Sequence, residues 1–299
     1  MSLNHGLTSC KVRVLETIGE VRSWHDSLRE RARAEDDRPV LGFVPTMGAL
    51  HEGHMALMKE ARKHCRHVIA SIFVNPMQFG PTEDFGRYPR TFEKDLGLLA
   101  QEGVEAVFFP GEKEMYPEGK DKCTKVYPPA ELADCLEGHF RPGFFVGVAT
   151  VVNKLFSIVE PNDAFFGEKD YQQLLVVKRM VRDLDIPVTI HGVSTVREKD
   201  GLALSSRNVY LSEADRKLAP ILHKTLCQVR DETLCKGSLQ AALERGRKEL
   251  AASQSVDLQY LEARHSETFE PLETACQKMV ILLAAKIADV RLIDNVVVR

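Results

Sequence analysis

The sequence lacks any strong imbalance of charge. Its 40 lysines and arginines nearly cancel its 43 aspartates and glutamates, leaving a net charge of −3. General attraction to nucleic acid or to an anionic membrane is therefore not expected. Long apolar runs are also missing. The longest stretches, such as 279–285, fall far short of the roughly 20 residues that span a bilayer. Residues 1–10 are polar where a secretory signal needs an apolar core. Cys-x-x-Cys pairs are absent. Cys10, Cys65, Cys123, Cys135, Cys227, Cys235 and Cys276 are scattered and odd in number. They read as free thiols in a reducing compartment, with the cytoplasm expected. No internal repeat or low-complexity segment interrupts the chain. What remains is an ordinary globular composition, long enough for one large domain or two smaller ones.

Helical and extended patterns alternate through the first two-thirds. Val21, Trp24 and Leu28 mark one face of a first helix. Residues 40–44 form a short apolar strand, with a helix expected from about Gly53. A second strand at 67–74, a helix at 91–102 and a third strand at 104–109 follow. Residues 29–38 read as a charged, solvated connection. An irregular section with Pro117, Pro128 and Pro129 leads to a helix at 147–159, a strand at 164–166, a helix at 170–184 and a strand at 188–193. Strands apolar on both faces, alternating with helices, predict a parallel sheet covered by helices. Right-handed crossovers make it a Rossmann-like doubly wound α/β sheet. After about residue 190 the pattern changes. Helices near 212–228 and 238–252, then paired strands at 257–263 and 279–294, predict a smaller α+β domain. The expected division is 1–190 and 191–299.

Three motifs carry chemistry. Pro45-Thr-Met-Gly-Ala-Leu-His51-Glu-Gly-His54 follows the first predicted strand. Free N–H groups at a helix start attract anions. His51 and His54 share a face of that start, and Gly48 and Gly53 allow a ligand close to the backbone. Two imidazoles there suit a triphosphate, donating to oxygens that gain charge as pyrophosphate departs. A lone His-x-x-His also fits an ordinary helix start, or weakly a metal pair. Its position at the carboxyl end of a parallel strand favours a ligand. Asp200-Gly-Leu-Ala-Leu-Ser-Ser-Arg-Asn208 offers hydroxyls at Ser205 and Ser206 and a planar phosphate fork at Arg207. Alone it is a polar loop. Joined to His-x-Gly-His, it is similar to the paired signatures of the nucleotidyltransferase superfamily. Phe165-Phe-Gly-Glu-Lys-Asp-Tyr-Gln-Gln173 opens a helix after a strand. Gly167 permits backbone contact, Lys169 suits an α-phosphate, and Asp170 caps the helix or accepts from a ribose. Gln172 and Gln173 project on different sides, so at most one readily faces a pocket. Gln78, in Asn75-Pro-Met-Gln-Phe-Gly80, also lies near the carboxyl edge of the sheet. Uncharged amides such as Gln78 and Gln173 could hold a hydroxylated acid without quenching its carboxylate.

With Tyr88-Pro-Arg-Thr91, Arg141-Pro-Gly143 and Gly147-Val-Ala-Thr-Val-Val152 added, the chain resembles the pantothenate synthetase (pantoate–β-alanine ligase) family, most closely over 40–212. The resemblance implies ATP-driven joining of pantoate and β-alanine into pantothenate, on the way to coenzyme A. A pantoyl-adenylate is the intermediate, and AMP and pyrophosphate are released. It implies ATP contacts at Met47, Gly48, His51, Gly53, His54, Gly167, Glu168, Lys169, Asp170, Val196, Leu204, Ser205, Ser206 and Arg207. His54, His51, Lys169, Ser205, Ser206 and Arg207 are the implied catalytic set. Met47, Asn75, Gln78 and Gln173 are implied at pantoate and β-alanine. Magnesium is implied as the ATP counter-ion, with Asp95 the nearest carboxylate. A cytoplasmic homodimer is implied as well. Phe144 stands where the family commonly has histidine, and Lys94 interrupts an often acidic run. Two rivals remain at this stage: a nucleotidyltransferase passing AMP to a phosphate acceptor, and a non-catalytic nucleotide-binding module. The co-occurrence of both histidines, Lys169, Ser205, Ser206 and Arg207 disfavours the second.

Overall fold

A computed structural model describes residues 12–34, 40–81 and 83–298. Cys10 and the end of the 29–38 connection lie outside these residues. Six parallel strands form one sheet: β1 (Arg13–Leu15), β2 (Leu41–Thr46), β3 (His67–Ile72), β4 (Ala106–Phe108), β5 (Asp163–Gly167) and β6 (Thr189–Val193). Their order is β1-β4-β3-β2-β5-β6. The chain winds outward from β2 to β3 and β4, then returns to lay β5 and β6 on the other side of β2. The carboxyl ends of β2 and β5 therefore flank the point where winding reverses, which is where such sheets leave a crevice.

Strand residues alternate between two apolar layers. Phe43, Ile69, Phe108 and Phe166 pack with Val21, Trp24 and Leu28 of the helix Ile18–Ala34 and with the helix Phe144–Val159. Val44, Val68, Ala70 and Phe165 pack on the other face with Met55, Met58 and Ala61 of the helix Glu52–His64. Both faces are covered, so the strands read as continuous apolar runs. The helix Phe144–Val159 also presses on the turn Pro76–Gln78. A Cβ at Gly147 would stand 2.4 Å from the Met77 carbonyl oxygen.

The smaller lobe is a three-stranded antiparallel sheet of β7 (Val256–His265), β8 (Met279–Ile287) and β9 (Val290–Val298), covered by the helices Ile221–Lys236 and Leu239–Ala251. Leu226, Val229 and Leu243 meet Ile281 and Leu283 of β8 there. Val280, Leu282 and Ala284, alternating with them on β8, belong instead to the core of the first lobe.

Several boundaries differ from the sequence expectation. β1 carries no sequence signal, because three residues with an exposed Val14 give too short a pattern. The expected helix at 212–228 is broken into Glu213–Leu218 and Ile221–Lys236 around Pro220, which cannot donate to the preceding turn. The run 279–294 is two strands, β8 and β9, with Ala288 at φ 51° in the tight turn between them. β6 ends at Val193, inside the region assigned to the second domain. No helix among the described residues is long and apolar enough to cross a membrane.

Candidate active site

His51 is the N-cap of the helix Glu52–His64. Its Nδ1 accepts from the Gly53 N–H at 3.1 Å, and His54 Nδ1 accepts from the His51 N–H at 3.3 Å. The two rings lie 4.1 Å apart between centroids. Gly53 is needed because a Cβ there would meet the His51 ring at 2.8 Å. With both Nδ1 atoms accepting, a neutral ring must carry its proton on Nε2. Burial pushes the His51 pKa down to about 4, helped by the charge of Lys169. His54 is pushed down to about 3, by burial and then by His51 and Lys169. Both are therefore neutral Nε2–H donors across the physiological range.

The late loop lies directly on this helix start. Ser206 Oγ donates to the Ala49 carbonyl at 3.3 Å, and a Cβ at Gly53 would be 3.8 Å from Leu204 Cβ. Ser205 caps its own turn by accepting from the Arg207 N–H. Lys169, Asp170, Ser205 and Arg207 line one cavity between the lobes, together with Glu137, Arg141, Arg291 and Asp294. The cavity holds only about 40 Å³, well below the roughly 300–1,000 Å³ of pockets that enclose small molecules. It shares Arg141, Arg207 and Arg291 with an adjoining cavity of about 280 Å³. Arg207 donates through Nε and Nη2 to Asp84 at 2.9 and 2.8 Å, and Arg141 grips Glu83 in the same forked way. Tyr210 donates to the Arg87 carbonyl at 2.8 Å.

The sequence matches the family model for pantoate-beta-alanine ligase over residues 13–297. The chain belongs to the pantoate–β-alanine ligase family. A pantothenate synthetase of Thermus thermophilus is 51% identical over 263 residues, covering 88% of this chain and 95% of that protein. A crystal structure of pantothenate synthetase from Thermus thermophilus superposes with a TM-score of 0.89 at 49% identity, covering 96% of this chain and 99% of that one. A pantoate–β-alanine ligase of Francisella tularensis, complexed with Beta-gamma ATP and β-alanine, superposes at 0.78 with 36% identity, covering 96% of this chain and 97% of that one.

The remaining residues expected from the ligase pattern take different places. Gln78 is buried, and its Oε1 accepts from Asn75 Nδ2 at 3.1 Å. No described residue accepts from its Nε2. Asn75 itself is fully engaged: it also donates to the Gly147 carbonyl and accepts from the Tyr116 hydroxyl and the Met77 N–H. Its side chain thereby holds Gln78 in place. Gln172 is committed to the 132–137 segment, with bonds to Leu132, Cys135 and Glu137. Gln173 is half-buried and lines a small cavity with Lys169, Asp170 and Phe144. The Phe144 ring lies under the Arg141 guanidinium at 3.8 Å, so this departure from the family pattern stacks an arginine. Val196 accepts from the Leu204 N–H at 3.0 Å, closing the hairpin that leads into the late loop.

Met47 and Gly48 line a separate cavity of about 250 Å³ with Phe73, Phe92, Phe109 and Asp95. Gly48 sits at φ 80°, a conformation glycine adopts without strain. Asp95, the carboxylate expected near magnesium, is almost fully buried. It accepts from the Ala49 and Leu50 N–H groups, each at 2.9 Å, and from the Thr91 hydroxyl at 3.0 Å. That geometry clamps the loop before His51. Among the described residues, no three His, Cys, Asp or Glu side chains gather as a metal site.

Asp84, Asp294 and Asn295 belong to none of the motifs read from the sequence. Asp294 and Asn295 are buried in β9. An Asp-Asn pair inside an apolar strand is disfavoured without partners, and that was the available signal.

Proposed function

We propose that this chain condenses pantoate with β-alanine, driven by ATP, by way of a pantoyl-adenylate. Family membership over nearly the whole chain and the ATP and β-alanine named for the Francisella relative support the reading. The observation that carries it is the gathering of Lys169, Ser205 and Arg207 around one cavity, with Lys169 close enough to depress both histidines.

In the first step a pantoate carboxylate oxygen attacks the α-phosphorus of ATP. The bond from that phosphorus to the bridging oxygen breaks, and pyrophosphate leaves. Neutral Nε2–H donors at His51 and His54, the ammonium of Lys169 and the fork of Arg207 draw off the growing charge. Such donors act most strongly where water is excluded. In the second step the amine of β-alanine attacks the acyl carbon. The bond to AMP breaks, a proton is lost from nitrogen, and the amide of pantothenate remains. Gln78 offers an uncharged Nε2–H donor, and Gln173 a second amide, so pantoate is held with its carboxylate still nucleophilic. Magnesium enters as part of the substrate, on the ATP phosphates. Gly53, Gly167, Glu168, Asp170, Val196 and Leu204 complete the nucleotide surface in this reading, and Met47 and Gly48 extend it toward the neighbouring cavity before His51. A cytoplasmic homodimer, the family form, completes it.

The test is AMP formation with ATP, pantoate and β-alanine, each omitted in turn. AMP should accumulate catalytically only with all three, and the amide product should match it one to one. AMP transfer to a phosphate acceptor without any carboxylic acid would replace this reading with a simple nucleotidyltransferase.

A further inference from the structure

We propose that Asn295 is a positioning residue for the adenylation step, aiming Lys169 from the opposite lobe. The inference rests on the reading of Lys169 as the group that draws charge off the phosphates.

Asn295 lies on β9, in the smaller lobe, with 4% of its surface exposed. Its side-chain amide has two N–H groups. One donates to the Glu168 carbonyl and the other to the Lys169 carbonyl, both at 2.8 Å. Two consecutive carbonyls are thus drawn to a single point. That fixes the short 3-10 turn Glu168–Asp170, and with it the direction in which the Lys169 side chain leaves the backbone. Within the turn, Gly167 makes no side-chain cap, and Asp170 meets only the far end of the side chain, its Oδ2 3.7 Å from Lys169 Nζ.

Asn295 is itself held. Its backbone N–H donates to Asp294 Oδ1 at 2.7 Å. Asp294 accepts both arms of Arg197, at 2.7 and 2.8 Å, and Arg197 also donates to the Asn295 carbonyl at 3.0 Å. Arg197 belongs to the hairpin that begins at Val196 and delivers Leu204 to the late loop. One dipeptide of β9 therefore grips both the Lys169 turn and the root of the Ser205–Arg207 loop. Closing the smaller lobe and orienting Lys169 become the same event.

The geometry demands more than a structural tie would. If Asn295 acts through Lys169, removing it matters only while Lys169 is present. The experiment is a double-mutant cycle on full-length protein, reading pantoate-dependent ATP–pyrophosphate exchange. Misplacing a reacting group by about 1 Å costs on the order of 10²-fold, so Asn295→Ala should lower exchange by about tenfold or more. In a Lys169→Ala background the same change should lower it by less than about twofold. Aminolysis of supplied pantoyl-adenylate by β-alanine should stay within about twofold of wild type, because that step follows loss of pyrophosphate. If Asn295→Ala does not fold by circular dichroism, Asn295→Ser, which keeps one donor, is measured and judged by the same criteria. An equal loss in both backgrounds, or wild-type exchange in the single variant, would overturn the proposal. Absence of pantoate-dependent exchange in wild-type protein would instead defeat the proposed activity, leaving the two failures distinguishable.

Discussion

At the scale of single residues, His51 and His54 form a pair in which each ring accepts a backbone N–H through Nδ1, leaving Nε2 to carry the proton. Their depressed pKa values have a consequence for stability. An unfolded histidine binds a proton below about 6.5, whereas these hold off protonation until about 4 and about 3. The unfolded state therefore takes up more protons between those values, and the stability present above pH 6.5 is lost as pH falls through that window. The drop in Tm between pH 7 and pH 5 should be smaller in His54→Asn than in wild type. An equal drop would mean the ring titrates as a free histidine does. Sequence spacing placed the two histidines on one helical turn. The direction of each ring depended on the close fit at Gly53, which spacing does not specify. Asp95 is a second residue whose surroundings the sequence could not supply. Its carboxylate meets two N–H groups of the loop before His51, so Asp95→Asn presents a donor where acceptors are needed. We expect a loss of about 1–3 kcal/mol in denaturant unfolding, with the magnesium dependence of AMP formation unchanged. A shifted magnesium dependence would instead support Asp95 as a metal ligand.

At the scale of elements, the parallel strands and their helices were legible because they are apolar on both faces and bounded by glycine and proline. Polar ties were not, since they join residues far apart in the chain. The 75–88 segment illustrates the difference. Its Gly80, Pro81 and Gly86 suggest a loosely anchored lid. In the structure Phe79 packs edge-on against Phe85 and Tyr88, and Glu83 and Asp84 reach across to Arg141 and Arg207. Asp84 thus occupies two donors of an arginine expected to meet phosphate. Removing it with Asp84→Ala should free Arg207 and lower the KM for ATP. A partly exposed ion pair contributes about 0.2–1 kcal/mol, which corresponds to a change of up to about fivefold. Steady-state kinetics would measure it, and a higher KM would show that Asp84 helps Arg207 reach the nucleotide.

At the scale of the whole molecule, the lobes are joined by a buried polar lock as well as by apolar contact. Glu137, in the first lobe, accepts two donors from Arg291 of β9 and the hydroxyl of Tyr260 of β7. Breaking a buried pair by removing one partner costs about 3–5 kcal/mol. Arg291→Met should therefore lower unfolding stability by that order in a urea titration, and a change under about 1 kcal/mol would show that water reaches Glu137. The apolar contact between the lobes runs through β8. Its residues face two interiors in alternation, Ile281 and Leu283 inward to their own helices, Val280, Leu282 and Ala284 toward the neighbour. A fragment cut at residue 193 would lay a greasy stripe bare along that strand and tend to clump. A chimaera carrying this lobe on a relative's body would inherit half of a core shaped for someone else.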